Sequence, residues 1–429
     1  MGGVPNPPPP PPPSLNPPPG GAGPPPPPPP LFIVSASGDW TCNTPELEYP
    51  AIREIYRLYD AADRVSTAQV DAGHNYNRES RELVYRWFGR WLLGRDEPIS
   101  EAPFAVEPDE GLLVFHDRKP PAAALDAAGL TDFLIARSES RLRDALPDTP
   151  AALRRFKARI APALRHAVAA GYPKEAQARD MGRTRNSRYI VQRLLIGRSD
   201  FGDRVPARLF LPQDGRETSP GVLLVHPGGI DALSDPESGT PGRAVDDLIR
   251  RGLRVLTISP FLAGASVSNT GIRDTSVPHF HTYNPSDASC RIQDILTALA
   301  YLRSRADVTI CHLAGMGEAG LWCLFARALA PDVGRAIIDG NRFRAGDDAH
   351  WAEHLYIPAV RAAGDLRAAA ALIAPGPLYV HNAGREFPID EFRSFYGAAD
   401  ARRELRISSR RVNRTTLHDW ITNSGSHAQ

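Results

Sequence analysis

From about residue 188 to residue 420, short apolar runs alternate with longer stretches of helical spacing, and this alternation restricts the fold more than any other feature of the chain. YIVQRLLIG and VPARLFLP read as an antiparallel opening pair, and GVLLVHPGG as a buried strand that closes on a turn. AVDDLIRRG is a helix, LRVLTISPF a strand, CRIQDILTALAYLRSR a helix and VTICHLAG a strand. EAGLWCLFARALA follows as a helix, and GRAIIDGN, GPLYVHNAG and ELRISSRRV are further strands with helices between them. A strand buried on both faces is apolar throughout, without the alternation of a half-exposed one. Strands and helices repeating at this spacing predict an α/β fold, a mostly parallel sheet covered by helices on both faces.

Upstream the chain changes character three times. Residues 1–30 are almost wholly Pro and Gly. Pro has no N–H and a fixed φ, so this stretch is expected to be an extended or disordered tail, either a linker or a ligand for a proline-binding domain. Residues 31–94 read as strand (LFIVSA), turn with Asp39, helix interrupted at Pro50, strand (RVSTAQV), loop with His74, and a last helix. That helix sets Leu83, Val84, Trp87, Phe88, Trp91 and Leu92 on one face and ends at Gly94. Residues 95–187 read as a connector or helical cap, with one or two strands around EPDEGLLVFHD. Residues 421–429 are expected to be a disordered tail.

Composition removes several function classes. At 429 residues the chain is long enough for two or three domains, and a formal net charge of +1 gives no electrostatic footprint for nucleic acid or an anionic membrane. No run approaches the ~18 apolar residues of a transmembrane helix, and the N-terminus lacks the basic and apolar regions of a signal peptide. Cys42, Cys290, Cys311 and Cys323 show no metal-like spacing, and Cys311 and Cys323 are expected to be small buried residues. His279 and His281 stand two apart in HFHTYNPSDASCRIQD without a third ligand nearby, so the segment is read as a loop with Asn284 and Asp287 in turns or caps. No metal or cofactor is expected.

Acyl-transfer hydrolysis needs a nucleophile, a His to take its proton, an acid to orient that His, and N–H groups for the oxyanion. Asp39 and His74 each close a strand and precede a helix, the order expected of an acid followed by its base. Taken singly they are a turn former and a loop hydrogen-bonder. His226-Pro227-Gly228-Gly229 after a buried strand is either an oxyanion loop or a plain turn. LAGMGEAGLW places a strand-to-helix turn at Gly315, Gly317 and Gly320, with Gly317 where a G-x-Ser-x-G elbow carries its nucleophile and Glu318 next to it. The same letters match the dinucleotide G-x-G-x-x-G, but the motif falls late in the sheet, and Asp339 at the distance of the ribose acid ends a strand. In the second unit Arg385 falls where Asp39 falls in the first, and His418, the only His after the last strand, lies in a helix.

SASGDWTCNTPELEYPAIREIYRLY followed by HNYNRESRELVYRWFGRWLL resembles the C-terminal portion of acetyl xylan esterase-like and dienelactone-hydrolase-like α/β-hydrolases. LLVHPGG, TYNPSDASCRIQDILTALAYL and LAGMGEAGLWCLFARALAP resemble the same superfamily. The resemblance implies an α/β-hydrolase fold in tandem: a first domain represented only by its end at 31–94, and a degenerate second domain at 188–420. It implies Asp39 and His74 as acid and base of an incomplete triad, and Gly228 and Gly229 beside a relic oxyanion site. It further implies a small-molecule or carbohydrate ester as substrate if the chain is active, with a non-catalytic binding or scaffold role as the alternative.

Overall fold

The computed structural model describes residues 28–264, 273–331 and 333–422, which form two compact units, one up to Ala124 and one from Leu125. The proline-rich stretch 1–27 and the tail 423–429 lie outside the described residues.

The first unit is built from β1 (Leu31–Gly38), α1 (Glu48–Arg57), β2 (Val65–Gly73), α2 (Arg78–Leu93) and a single turn, α3 (Asp109–Leu112). β1 and β2 are parallel, in register from Leu31 opposite Val65 to Ala36 opposite Val70, and then slip so that Gly38 faces Gly73. Pro50 sits in the first turn of α1, where its missing N–H would have had no intrahelical partner, so it starts the helix instead of interrupting it. α2 is capped by Asn77, whose side chain accepts the Ser80 N–H, and ends on Gly94 at a φ of 65°. Tyr56, Ala61 and Val65 form a small core, and Trp87 stacks on Phe32 with ring centroids 5.2 Å apart. The expected apolar face of α2 is covered only in part: Phe88 and Leu92 are exposed. Around EPDEGLLVFHD there is no strand but the four-residue α3, because no neighbouring strand is there to pair its backbone groups.

The second unit opens with α4 (Ala127–Asp144) and α5 (Pro150–Val168) and continues through β3 (Gln177–Arg185), β4 (Tyr189–Gly197), β5 (Val205–Pro212) and β6 (Ser219–Val225). Next come α6 (Arg243–Arg250), β7 (Arg254–Ile258), α7 (Phe280–Tyr283), α8 (Asp287–Ser304), β8 (Val308–Gly315) and α9 (Ala319–Leu329). It closes with β9 (Ala336–Asp339), α10 (Asp348–His354), α11 (Asp365–Ile373), β10 (Leu378–His381), α12 (Ile389–Ala398), β11 (Leu405–Ile407) and α13 (Arg414–Thr422). The strands form one nine-stranded sheet in the order β11-β10-β9-β8-β6-β7-β5-β4-β3. β6 to β11 run parallel, while β3, β4 and β5 are antiparallel to their neighbours.

Alternate residues of the central strands face opposite layers, as a period of two requires. Leu223, Leu256, Leu313 and Ile338 enter the larger core, and Val222, Val255, Ala314 and Ile337 enter the smaller one. The span 95–187 is more than a connector: β3 is an edge strand of the sheet, and α5 places Leu153, Phe156, Ile160 and Leu164 in the larger core. α4 is held through Glu139, whose carboxylate takes two hydrogen bonds of 3.0 Å from Arg367 on α11. Ser286, not Asp287, caps α8; Asp287 pairs with Arg273, and Asn284 donates to the Phe280 carbonyl.

On α8 the half-buried carboxylate of Asp294 accepts the Phe261 N–H at 2.8 Å, and desolvation pushes its pKa up to about 7. Between pH 4 and 7 the unfolded chain has lost a proton at this site that the folded chain keeps, so the contribution of Asp294 to stability falls as pH rises through that window. Asp294→Asn keeps an acceptor for Phe261 and removes the charge. Urea unfolding of this variant is expected to lose that downward slope and to show up to about 4 kcal/mol more stability than the parent at pH 8.

Candidate functional site

In the first unit the register that sets Gly38 beside Gly73 places the next residues, Asp39 and His74, at neighbouring strand ends. His74 Nδ1 lies 3.1 Å from Asp39 Oδ2. The other carboxylate oxygen of Asp39 accepts the Thr41 N–H at 2.7 Å and the Thr41 hydroxyl at 2.5 Å. Thr41 Oγ1 in turn accepts the Ala36 N–H at 3.0 Å, which ties the turn back to β1. The Thr41 hydroxyl, then its N–H, and His74 hold the Asp39 carboxyl below the usual carboxylate range, outweighing desolvation.

Ionised Asp39 can only accept, so a neutral His74 donates from Nδ1 and keeps its lone pair on Nε2. The Asp39 side chain is 8 % exposed and that of His74 67 %, so the acid is sheltered while the imidazole is open to solvent. The Trp40 ring lies against the imidazole at a centroid distance of 4.2 Å. Thr41 and Trp40 were not singled out as site residues from sequence. The signal was there for Thr41: an Asp two residues before a Thr, after a strand, is the pattern of an Asx turn.

In the second unit the turn between β8 and α9 keeps the shape of an elbow. Gly317 has a φ of +52°, and its N–H donates to Asp339 Oδ2 at 3.1 Å. Asp339, buried at the end of β9, also accepts the Asn341 N–H at 2.9 Å and Asn382 Nδ2 at 2.8 Å. In the sequence Asp339 stands only at the distance of a ribose acid; in the fold its carboxylate is consumed in holding the turn. Around Gly317 there is room, since a β-carbon would lie 3.6 Å from Pro227 Cγ. At Gly320 a β-carbon would come within 2.1 Å of the Asp339 carbonyl oxygen, and at Gly315 within 2.6 Å of Gly320 Cα.

His226-Pro227-Gly228-Gly229 is adjacent to this turn but closed on itself. The Gly228 N–H donates to His226 Nδ1 at 3.0 Å and the Gly229 N–H to the His226 carbonyl at 2.9 Å. Pro227 has no N–H, so the oxyanion donors expected of this loop are already used in the turn. Burial pushes the His226 pKa down. The Glu318 carboxylate lies 3.9 Å from His354 Nδ1, and burial pushes its pKa up against the pull of Arg291 and His354. Counted from β4, β10 and β11 are the seventh and eighth strands, after which the acid and base of the expected arrangement would come. Arg385 follows the first, and His418 lies on α13 as read from sequence. Among the described residues no three His, Cys, Asp or Glu side chains converge to hold a metal ion.

No family model matches the sequence, and no curated protein does. Solved structures resemble the chain in three dimensions. A Bacteroides fragilis protein assigned as an acetyl xylan esterase aligns over 69 % of this chain and 84 % of its own at 12 % identity and a TM-score of 0.51. A glucuronoyl esterase from Solibacter usitatus aligns over 62 % and 92 % at 13 % identity and a TM-score of 0.44. Acetyl Xylan Esterase 1 from Thermoanaerobacterium aligns over 66 % and 98 % at 13 % identity and a TM-score of 0.41. The first likeness, with the sheet order and the strand-turn-helix at Gly317, shows an α/β-hydrolase fold.

The glycines of the turn are expected to separate on substitution. Gly320→Ala drives a methyl into the β9 backbone and is expected to lower the free energy of urea unfolding by about 3 kcal/mol or more. Gly317→Ala meets only ordinary contacts and is expected to cost about 1–2 kcal/mol, the strain of a β-carbon at positive φ.

Proposed function

We propose that Asp39 and His74 are the acid and base of a serine-type carboxylic-ester hydrolase whose nucleophile lies outside these 429 residues, and that the second unit is a non-catalytic hydrolase domain. The observation that carries this reading is the 3.1 Å contact of His74 Nδ1 with a Thr41-braced Asp39 at the ends of two parallel strands joined by a helix. In that arrangement Nε2 takes the proton of an attacking hydroxyl, Asp39 stabilises the imidazolium, and Nε2 returns the proton to the leaving alcohol. Residues 31–94 then stand for the end of a first domain, consistent with the resemblance of their sequence to that part of such enzymes. An acylated carbohydrate is the substrate class that fits the fold shared with the Bacteroides protein.

For the second unit the binding or scaffold role is favoured by three features together. Gly317 has no side chain to attack with, the H-P-G-G donors are bonded internally, and Arg385 occupies the acid position.

Two measurements test the reading. In ¹⁵N NMR of the imidazole, His74 is expected to carry its proton on Nδ1 and to lose that preference in Asp39→Asn; an Nε2–H tautomer in the parent protein would sink the acid-base assignment. A fluorophosphonate is expected to leave the purified chain unlabelled. A labelled serine within these residues, lost in His74→Ala, would place the nucleophile inside the chain and overturn the external one.

A further inference from the structure

Behind the β8–α9 turn, on the layer formed by α6 and α13, lies a cavity of about 200 Å³ that none of the hydrolytic chemistry above uses. Its floor is apolar, made by Leu224, Ala314 and Ile337 from the sheet, with Leu417 of α13 in the wall. Polar groups gather at the ends of β9 and β10 and along the segment that leads into α13. His418 is 7 % exposed, and its Nδ1 is buried with no hydrogen-bond partner among the described residues. His381, equally buried, accepts the Val412 N–H on Nδ1 and so carries its own proton on Nε2 when neutral.

The charges have an order. The Asp339 carboxylate is engaged by the three N–H groups of Gly317, Asn341 and Asn382, which hold it toward the β8–α9 turn. Arg414 is paired with Asp247 at 2.7 Å. Arg411, also in the lining, has neither an ion pair nor a hydrogen bond among the described residues. The cavity thus combines an apolar floor with an unpaired guanidinium, and the half-turn of α13 that carries His418 closes its lining. A guanidinium fork matches a carboxylate. At the packing density of protein interiors the volume holds about six to eight non-hydrogen atoms.

We propose that this cavity binds a short unbranched aliphatic carboxylate of the size of butyrate to hexanoate, its carboxylate on Arg411 and within reach of His418, its chain on Leu224 and Ile337. The inference does not depend on Asp39 or His74, since it concerns other residues in the other unit.

The test is titration of the full chain with sodium butyrate and hexanoate, followed by calorimetry and by the ring resonances of His418, with n-butanol and n-butylammonium as controls. Saturable carboxylate binding below about 10 mM is expected, with a shifted His418 resonance and no binding of the ammonium. Arg411→Gln, an exposed position, is expected to weaken binding tenfold or more with the circular dichroism and melting temperature unchanged. The proposal is overturned by any of four results: no saturable carboxylate binding, equal binding of butylammonium, an unmoved His418 resonance, or full affinity in Arg411→Gln.

Discussion

The second unit depends on one close approach, that of the first turn of α9 to the ends of β8 and β9. Gly315 and Gly320 have no side chains, and the Asp339 backbone lies where a Gly320 β-carbon would be. That contact seats α9, whose residues from Ala319 to Arg327 are all buried, against the centre of the sheet. It also brings the Asp339 carboxylate under the N–H of Gly317. The geometry of an elbow therefore survives for reasons of packing. A turn that must accommodate a helix against two strands keeps its shape whether or not a reactive side chain stands at its tip.

The first unit shows the complementary condition. Asp39 and His74 have the side chains and the mutual geometry of an acid and a base, with Thr41 locking the carboxylate, but their two-stranded sheet offers little core beyond Tyr56, Ala61 and Val65. The carboxylate and imidazole meet where packing is thin, and packing is dense around the glycine turn. The cavity beside α13 extends this pattern. Where the chain after the eighth strand would carry a catalytic His in an exposed loop, it carries Arg411 and a histidine drawn into the interior on a helix.

Much of this was legible from the chain itself. Continuous apolar runs such as GVLLV and VTICHLAG mark strands, and they are β6, which is almost wholly buried, and β8, which is buried from Cys311 to Gly315. That the tip of the β8–α9 turn carries no side chain needed no coordinates, because position 317 is a glycine. What failed in the sequence reading failed for lack of neighbours. EPDEGLLVFHD has strand composition but no strand to pair with, and QARDMGRTR has little apolar character yet becomes β3 because β4 supplies a full antiparallel ladder.

By itself the sequence determined the alternation of elements, the class of fold and the residue types available for chemistry, since these follow from local periodicity and side-chain identity. Only the tertiary structure decided which of those residues meet. It brought His74 to Asp39 across 35 positions of chain and Gly317 to Asp339 across 22, and it closed the H-P-G-G donors within their own turn. Hydrogen bonds between strand ends depend on register and sheet order, which no local pattern encodes.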